Sequence, residues 1–251
     1  MVTVRRGLAE GAAVLAALLG ALAASVGLGP VGWAVGLGCG LVALAAVAGG
    51  GAAVLGPADR VTVTRTAIGC AMAALVADAW ARPAEVGALV ALSTVALVLD
   101  AVDGRVARRT GTASGFGARF DGEADAFVML VLSVYVATTV AGWVLAIGLA
   151  RYLFGMAGWV VPWFRRTLPR RDWRKVVTAV QGIVLTVAAA AFLPPWLTYA
   201  ALVAAAALLA ESFGRDALWL WFRRHEERAT ERVTERATER PPSMVLRPQR
   251  S

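Results

Sequence analysis

Apolar runs of about twenty residues recur along this chain, each ended by glycine, proline or arginine. Twenty residues of α-helix rise about 30 Å, the thickness of a bilayer's hydrocarbon core. Backbone inside lipid must satisfy its own hydrogen bonds, so the runs predict membrane-spanning helices. Eight spans are expected, at about 8–27, 31–54, 62–80, 84–104, 121–141, 143–163, 176–193 and 196–214. The breaks carry suitable punctuation: GLGP at 27–30, GP at 56–57, ARP at 81–83, Gly142, LPRR at 168–171 and Pro194-Pro195. The predicted fold class is all-α, a polytopic membrane helix bundle.

Charge orients the bundle. Arg5, Arg6, Arg60, the 105–119 segment, the 165–175 segment and the tail from Arg215 fall on one side, and Arg82 on the other. This asymmetry places both termini in the cytoplasm, and the expected location is the plasma membrane of a bacterial cell. The composition agrees, at 59% hydrophobic and 17% charged. The net charge of +8 would elsewhere suggest nucleic acid, but the arginines flank membrane segments, so no nucleic-acid partner is expected.

The first two spans have no charged residue between Glu10 and Asp59 and carry no visible chemistry. Arg5 and Arg6 before an apolar stretch have the look of a signal peptide. A second apolar run follows almost at once, so a retained hairpin over residues 1–56 is expected. Gly36, Gly38 and Gly40 there would permit close helix packing, suiting a scaffold or a contact between two copies in a homodimer. Cys39 and Cys70 read as small buried hydrophobes, with no disulfide or zinc pattern. The only histidine, His225, lies in the tail, which argues against a histidine base or ligand. Residues 223–251 hold an ATER-VTER-ATER repeat and a proline-containing end, and read as a charged, disordered cytoplasmic tail.

Four aspartates interrupt the oily pattern. Asp100 and Asp103 close one apolar run, and Asp121 and Asp125 open the next. Spacings of three and four put each pair on one helix face. A charged side chain at membrane depth costs roughly 2.5–3.5 kcal/mol on insertion scales, so four carboxylates imply a polar cavity with shared cations. Hard, oxygen-rich ligands of this kind suit Mg²⁺ or Mn²⁺. Glu123 points about 100° from the Asp121/Asp125 face and reads as interfacial. Isolated Asp78 and Asp172 read as caps or interfacial charges.

The order Asp100-x2-Asp103-Gly104-x2-Ala107-Arg108-x8-Gly117-x3-Asp121-x3-Asp125 resembles the signature of the CDP-alcohol phosphotransferase family at all eight fixed positions. The resemblance runs from about Pro57 to Arg223. It implies a six-helix catalytic core over 57–222, to which the N-terminal hairpin is an addition. It also implies transfer of a substituted phosphate from a CDP-alcohol to an alcohol, with release of CMP. Two divalent cations are implied, with Asp100 and Asp121 bridging both, Asp103 on one, and Asp125 at the second and acting as base. Gly104, Ala107, Arg108, Gly117 and Ser114 would contact the CDP group.

ADRVTVTRTAIG resembles the start of the family's first catalytic helix, where residues from Thr62 to Thr66, with Thr64 and Arg65 foremost, would approach the nucleotide. Arg65 has two open readings, a phosphate contact or an arginine snorkelling to the interface. WRKVVTAVQG resembles a family segment in which Lys175, Thr178 and Gln181 share a face towards the polar cavity. Arg151 lies within a predicted span, where an arginine is a functional candidate. With Lys175 it suits a phosphorylated acceptor. The expected donor is CDP-diacylglycerol and the favoured acceptor glycerol 3-phosphate or another phosphorylated polyol, within phospholipid biosynthesis. Two alternatives stand: a CDP-choline-type phosphotransferase acting on diacylglycerol, and an ion-coupled transporter. Clustering of the charges at one membrane face, without a visible inverted repeat, disfavours the transporter.

Overall fold

The computed structural model describes residues 2–50, 54–110, 115–161 and 172–238, with side chains described except at 2, 54–55, 103–110, 157–160, 172, 222 and 224–238. Among the described residues eight α-helices follow one another: α1 (Val4–Val26), α2 (Pro30–Gly49), α3 (Pro57–Asp78), α4 (Val86–Thr110), α5 (Gly115–Thr139), α6 (Leu145–Val160), α7 (Asp172–Ala190) and α8 (Pro195–Thr238). About 89% of the described chain is helical. Each predicted span falls on one helix. Five of these, α1, α2, α3, α7 and α8, are long and apolar enough to cross a membrane. The apolar parts of α4 and α6 are shorter, Val86–Val102 and Gly142–Met156. In α4 the apolar part stops just short of Asp103.

The helices alternate in direction, so the C-terminal end of α4 and the N-terminal ends of α3, α5 and α7 share one end of the bundle. At that end Val2–Thr3 pairs antiparallel with Val54–Leu55, in the register Val2 opposite Leu55. This two-residue ladder ties the start of the hairpin to the start of α3.

Helix α3 is the axis of the fold, packing against α1, α2, α4 and α5. Its small residues, GCAMAALVA from Gly69 to Ala77, let four neighbours approach closely. A Cβ added at Gly69 would lie 2.9 Å from the Phe127 ring of α5. The apolar stretch of α3 is 72% buried, against 28% for α1 and 22% for α2. Pro57 at its first position and the Asp59 carboxylate, 2.8 Å from the Gly56 amide, start the helix.

The hairpin packs on α3 through alternate turns. Gly36 of α2 sits where a Cβ would meet Leu19 at 2.9 Å and Ala74 at 3.0 Å, and Gly40 abuts Leu15. Gly38, expected to share this role, has open space beside it. Positions 36 and 40 are one helical turn apart, and 38 faces the other way. At the opposite end of the bundle, Gly27 ends α1 with a left-handed φ of 70°. Arg82 donates to the Gly27 carbonyl, and the Asp78 carboxylate accepts from the Gly29 amide at 3.1 Å. Asp78 is thus a cap, but for a helix other than its own.

Helix α8 does not stop with its apolar part. It runs on through the ATER repeat to Thr238, so the part of the expected disordered tail from residue 223 to 238 is helical. Residues 239–251 lie outside the described ones.

Candidate active site

Three aspartates meet at the end of the bundle where α4 finishes and α5 begins. One carboxylate oxygen from each of Asp100, Asp121 and Asp125 lies within 4.8 Å of the others. Asp100 belongs to α4, while Asp121 and Asp125 stack one turn apart on α5. The fold thus brings these three motif aspartates together at one end of the bundle. Asp103, Gly104, Ala107 and Arg108 lie on the helical continuation of α4, but their side chains are outside the described residues, as is all of Ser114. Gly117 lies in the first turn of α5.

The guanidinium of Arg65 reaches the trio from α3. Its Nη1 lies 3.0 Å from Asp100 Oδ1 and 2.7 Å from Asp121 Oδ1, and its Nη2 donates to Asp125. The Arg65 side chain is 3% exposed, so the snorkelling reading is incorrect. Its head points into the bundle because three carboxylates are there to compensate its lost hydration. Charge-assisted forks of this kind are the strong class of hydrogen bond. Asp125 is the most enclosed of the three carboxylates, at 22% side-chain exposure against 36% for Asp100 and 40% for Asp121.

Neighbouring threonines do not join this centre. Thr62 and Thr66 donate to the carbonyls of Ala58 and Thr62, the residues one turn back on α3. Thr64 donates to the Arg60 carbonyl at 3.1 Å. It lines a cavity of about 550 Å³ between α1 and α3, together with Gly7, Glu10, Gly11 and Arg60. One helical step of about 100° from Arg65 turns Thr64 to the hairpin side.

Arg151 of α6 pairs with Glu123 at 2.8 Å, the residue between the two α5 aspartates. Both are exposed, Arg151 at 47% and Glu123 at 60%. The guanidinium rests over Gly122, where an added Cβ would come within 2.9 Å of Nη2. Arg151 therefore borders the aspartate centre without entering it. Lys175, exposed at the start of α7, is near enough for its charge to act on Asp100. Thr178 donates to the Arg174 carbonyl at 3.0 Å. Gln181 is buried and donates to the Ala205 carbonyl of α8 at 2.7 Å. The face expected to point into the polar cavity is thus split: Gln181 joins α7 to α8.

Two further features were not read from the sequence. Arg174 of α7 faces the buried Asp216 of α8 at 3.5 Å, and Trp173 donates to Glu211 at 3.0 Å. Phe116 and Phe120 of α5 stack at 5.9 Å and pack with Val47 and Val63. The hairpin therefore braces the helical turn that leads directly into Asp121.

A family model described as CDP-alcohol phosphatidyltransferase matches residues 56–210, well over half of the chain. The chain belongs to that family. It is a membrane transferase of the group that moves phosphatidyl groups from CDP-alcohols. The chain matches no curated protein and no solved structure. The family match begins at the cap of α3, so the hairpin of α1 and α2 that braces α5 lies outside the matched residues. Members use divalent cations. Three convergent carboxylates, with no nitrogen or sulfur donor among them, form a hard-oxygen set suited to Mg²⁺ or Mn²⁺.

Proposed function

We propose that the protein transfers a phosphatidyl group from CDP-diacylglycerol to glycerol 3-phosphate or another phosphorylated polyol, releasing CMP, in phospholipid biosynthesis. The observation that carries this reading is the convergence of Asp100, Asp121 and Asp125 at one end of the bundle, inside the segment matched to the family. Arginine excess at that end supports a cytoplasmic orientation, in which a donor and acceptor made in the cytosol reach the site directly.

In this reading Asp100, Asp103, Asp121 and Asp125 hold the divalent cations, which when bound supply charge neutralisation at the diphosphate and at the departing CMP. Gly104, Ala107 and Gly117 leave room for the nucleotide, and Arg108 takes a phosphate. Asp125, the most enclosed of the three described carboxylates at the centre, accepts the proton of the acceptor hydroxyl. The acceptor oxygen forms a new bond to the lipid-bearing phosphorus, the bond from that phosphorus to the CMP oxygen breaks, and the proton ends on Asp125. Arg151 and Lys175, at the rim, match the phosphate of the acceptor.

Purified full-length protein in detergent, given CDP-diacylglycerol, Mg²⁺ or Mn²⁺ and a panel of acceptors, should release CMP fastest with glycerol 3-phosphate or a related phosphate. Release only with diacylglycerol and a CDP-amino-alcohol donor would replace this reading with the alternative in which lipid and head-group roles are exchanged.

A further inference from the structure

We propose that Arg65 is a built-in counter-cation of the aspartate centre, which divalent metal must displace, and hence the residue that sets the site's metal affinity. The inference rests on the metal reading above. Arg65 is not part of the aspartate motif, being 35 residues before Asp100 in the sequence and on a different helix. Yet its guanidinium contacts all three described carboxylates of the centre. Its two terminal nitrogens divide the work, Nη1 bridging α4 to α5 and Nη2 taking Asp125.

Three physical facts make this more than a structural ion pair. The carboxylates that face the guanidinium are the same three whose oxygens gather within 4.8 Å of one another. A divalent cation seated among these carboxylates would repel the guanidinium beside it, so metal and arginine compete. Next, among the described side chains in contact here, one guanidinium faces three carboxylates, so the attraction for further cations persists. Finally, arginine cannot relieve the competition by losing its proton. It can only move.

A displaced guanidinium needs a new anion, since its side chain is 3% exposed and starts from the buried helix α3. The diphosphate of the CDP group brings that charge to the same place, and a planar fork matches it. Metal entry and nucleotide entry should therefore help one another, and by linkage each should raise the affinity of the other by the same factor. Arg65 acts here as a positioning residue, exchanging carboxylates for phosphate.

The test uses full-length protein in detergent and Mn²⁺ binding followed by electron paramagnetic resonance or calorimetry, with and without CMP. Arg65→Gln should bind Mn²⁺ alone about tenfold more tightly than wild type. The enhancement of Mn²⁺ binding by CMP, clear in wild type, should largely vanish in this variant. Its melting temperature should fall in EDTA and recover with Mn²⁺, by a wider gap than in wild type. Arg65→Lys keeps one charge but no fork and should fall between the two, which also carries the test should Arg65→Gln not fold. Unchanged or weaker Mn²⁺ affinity in both variants, with the CMP effect intact, would overturn the inference and leave the metal reading standing. No Mn²⁺ binding by wild type or either variant would overturn both.

Discussion

Helix α5 meets two arginines within five residues, and the two contacts belong to different physical worlds. Asp121 and Asp125 meet Arg65, whose side chain is 3% exposed. Glu123, between them, meets Arg151 where both partners are open to solvent or headgroups. The distances are alike, 2.7 Å for Arg65 to Asp121 and 2.8 Å for Arg151 to Glu123. Burial is what separates them. A rotation of about 100° per residue carries the helix from an enclosed centre to its rim. Inside, removing the arginine leaves three crowded carboxylates without the counter-charge that holds them together. At the rim, either partner can be lost cheaply, so a side chain there is free to be recruited by a ligand.

The sharpest break of the comparison comes from the enclosed carboxylates. Asp125→Asn should reduce the rate of CMP release by about 10²–10⁴-fold while donor affinity is largely kept, because an amide cannot take the proton. Asp121→Asn should weaken metal and donor binding together. Equal, small effects of both changes would remove the assigned roles. EDTA should likewise abolish CMP release, with recovery on adding Mg²⁺ or Mn²⁺.

Next in size is the buried arginine. Arg65→Ala, measured by thermal unfolding in EDTA, should cost roughly 1.5–3 kcal/mol, the range for charge-assisted hydrogen bonds, because the carboxylates it leaves are partly exposed. Arg151→Ala under the same conditions should cost no more than about 1 kcal/mol. A similar loss for both would mean that the two regions do not differ as described.

Arg151→Ala should instead show itself in kinetics. A lost charge-assisted contact of about 1.5 kcal/mol raises the KM of a phosphorylated acceptor about tenfold and leaves the donor KM nearly unchanged. The smallest effect is expected from Glu123→Gln, which should shift stability by less than about 1 kcal/mol. Its acceptor KM should change less than that of Arg151→Ala.

What the sequence could disclose follows the same division. Helix positions were legible because an apolar run bounded by glycine, proline or arginine is a local property of the chain. The meeting of Asp100 with Asp121 and Asp125 was legible because their spacing fixes a face and the motif is dense. The partner of Arg65 was not, since its ligands lie 35 or more residues away and only packing of α3 between α4 and α5 brings them together. A signal was present all the same: four acidic groups in an oily chain require cations, and Arg65 is a cation inside a span without an acidic neighbour. Gln181 shows the opposite failure. Its spacing from Lys175 and Thr178 gave the right face in isolation, but α8 covers that face one turn further along. Helical continuity through the ATER repeat was also hidden, because a polar repeat has no buried face to reveal it.

That continuity has a consequence for anything attached to the C-terminal end. The apolar part of α8, Pro195–Trp221, uses about 40 Å of helix, enough for the membrane crossing and its interface. The remainder, to Thr238, extends about 25 Å further at the same end of the bundle as the aspartates. An unbroken helix transmits angle as well as distance. It works as a mast: cargo fused after Thr238 is carried clear of the headgroups, and each residue inserted into the stem turns that cargo by about 100° and lifts it by about 1.5 Å.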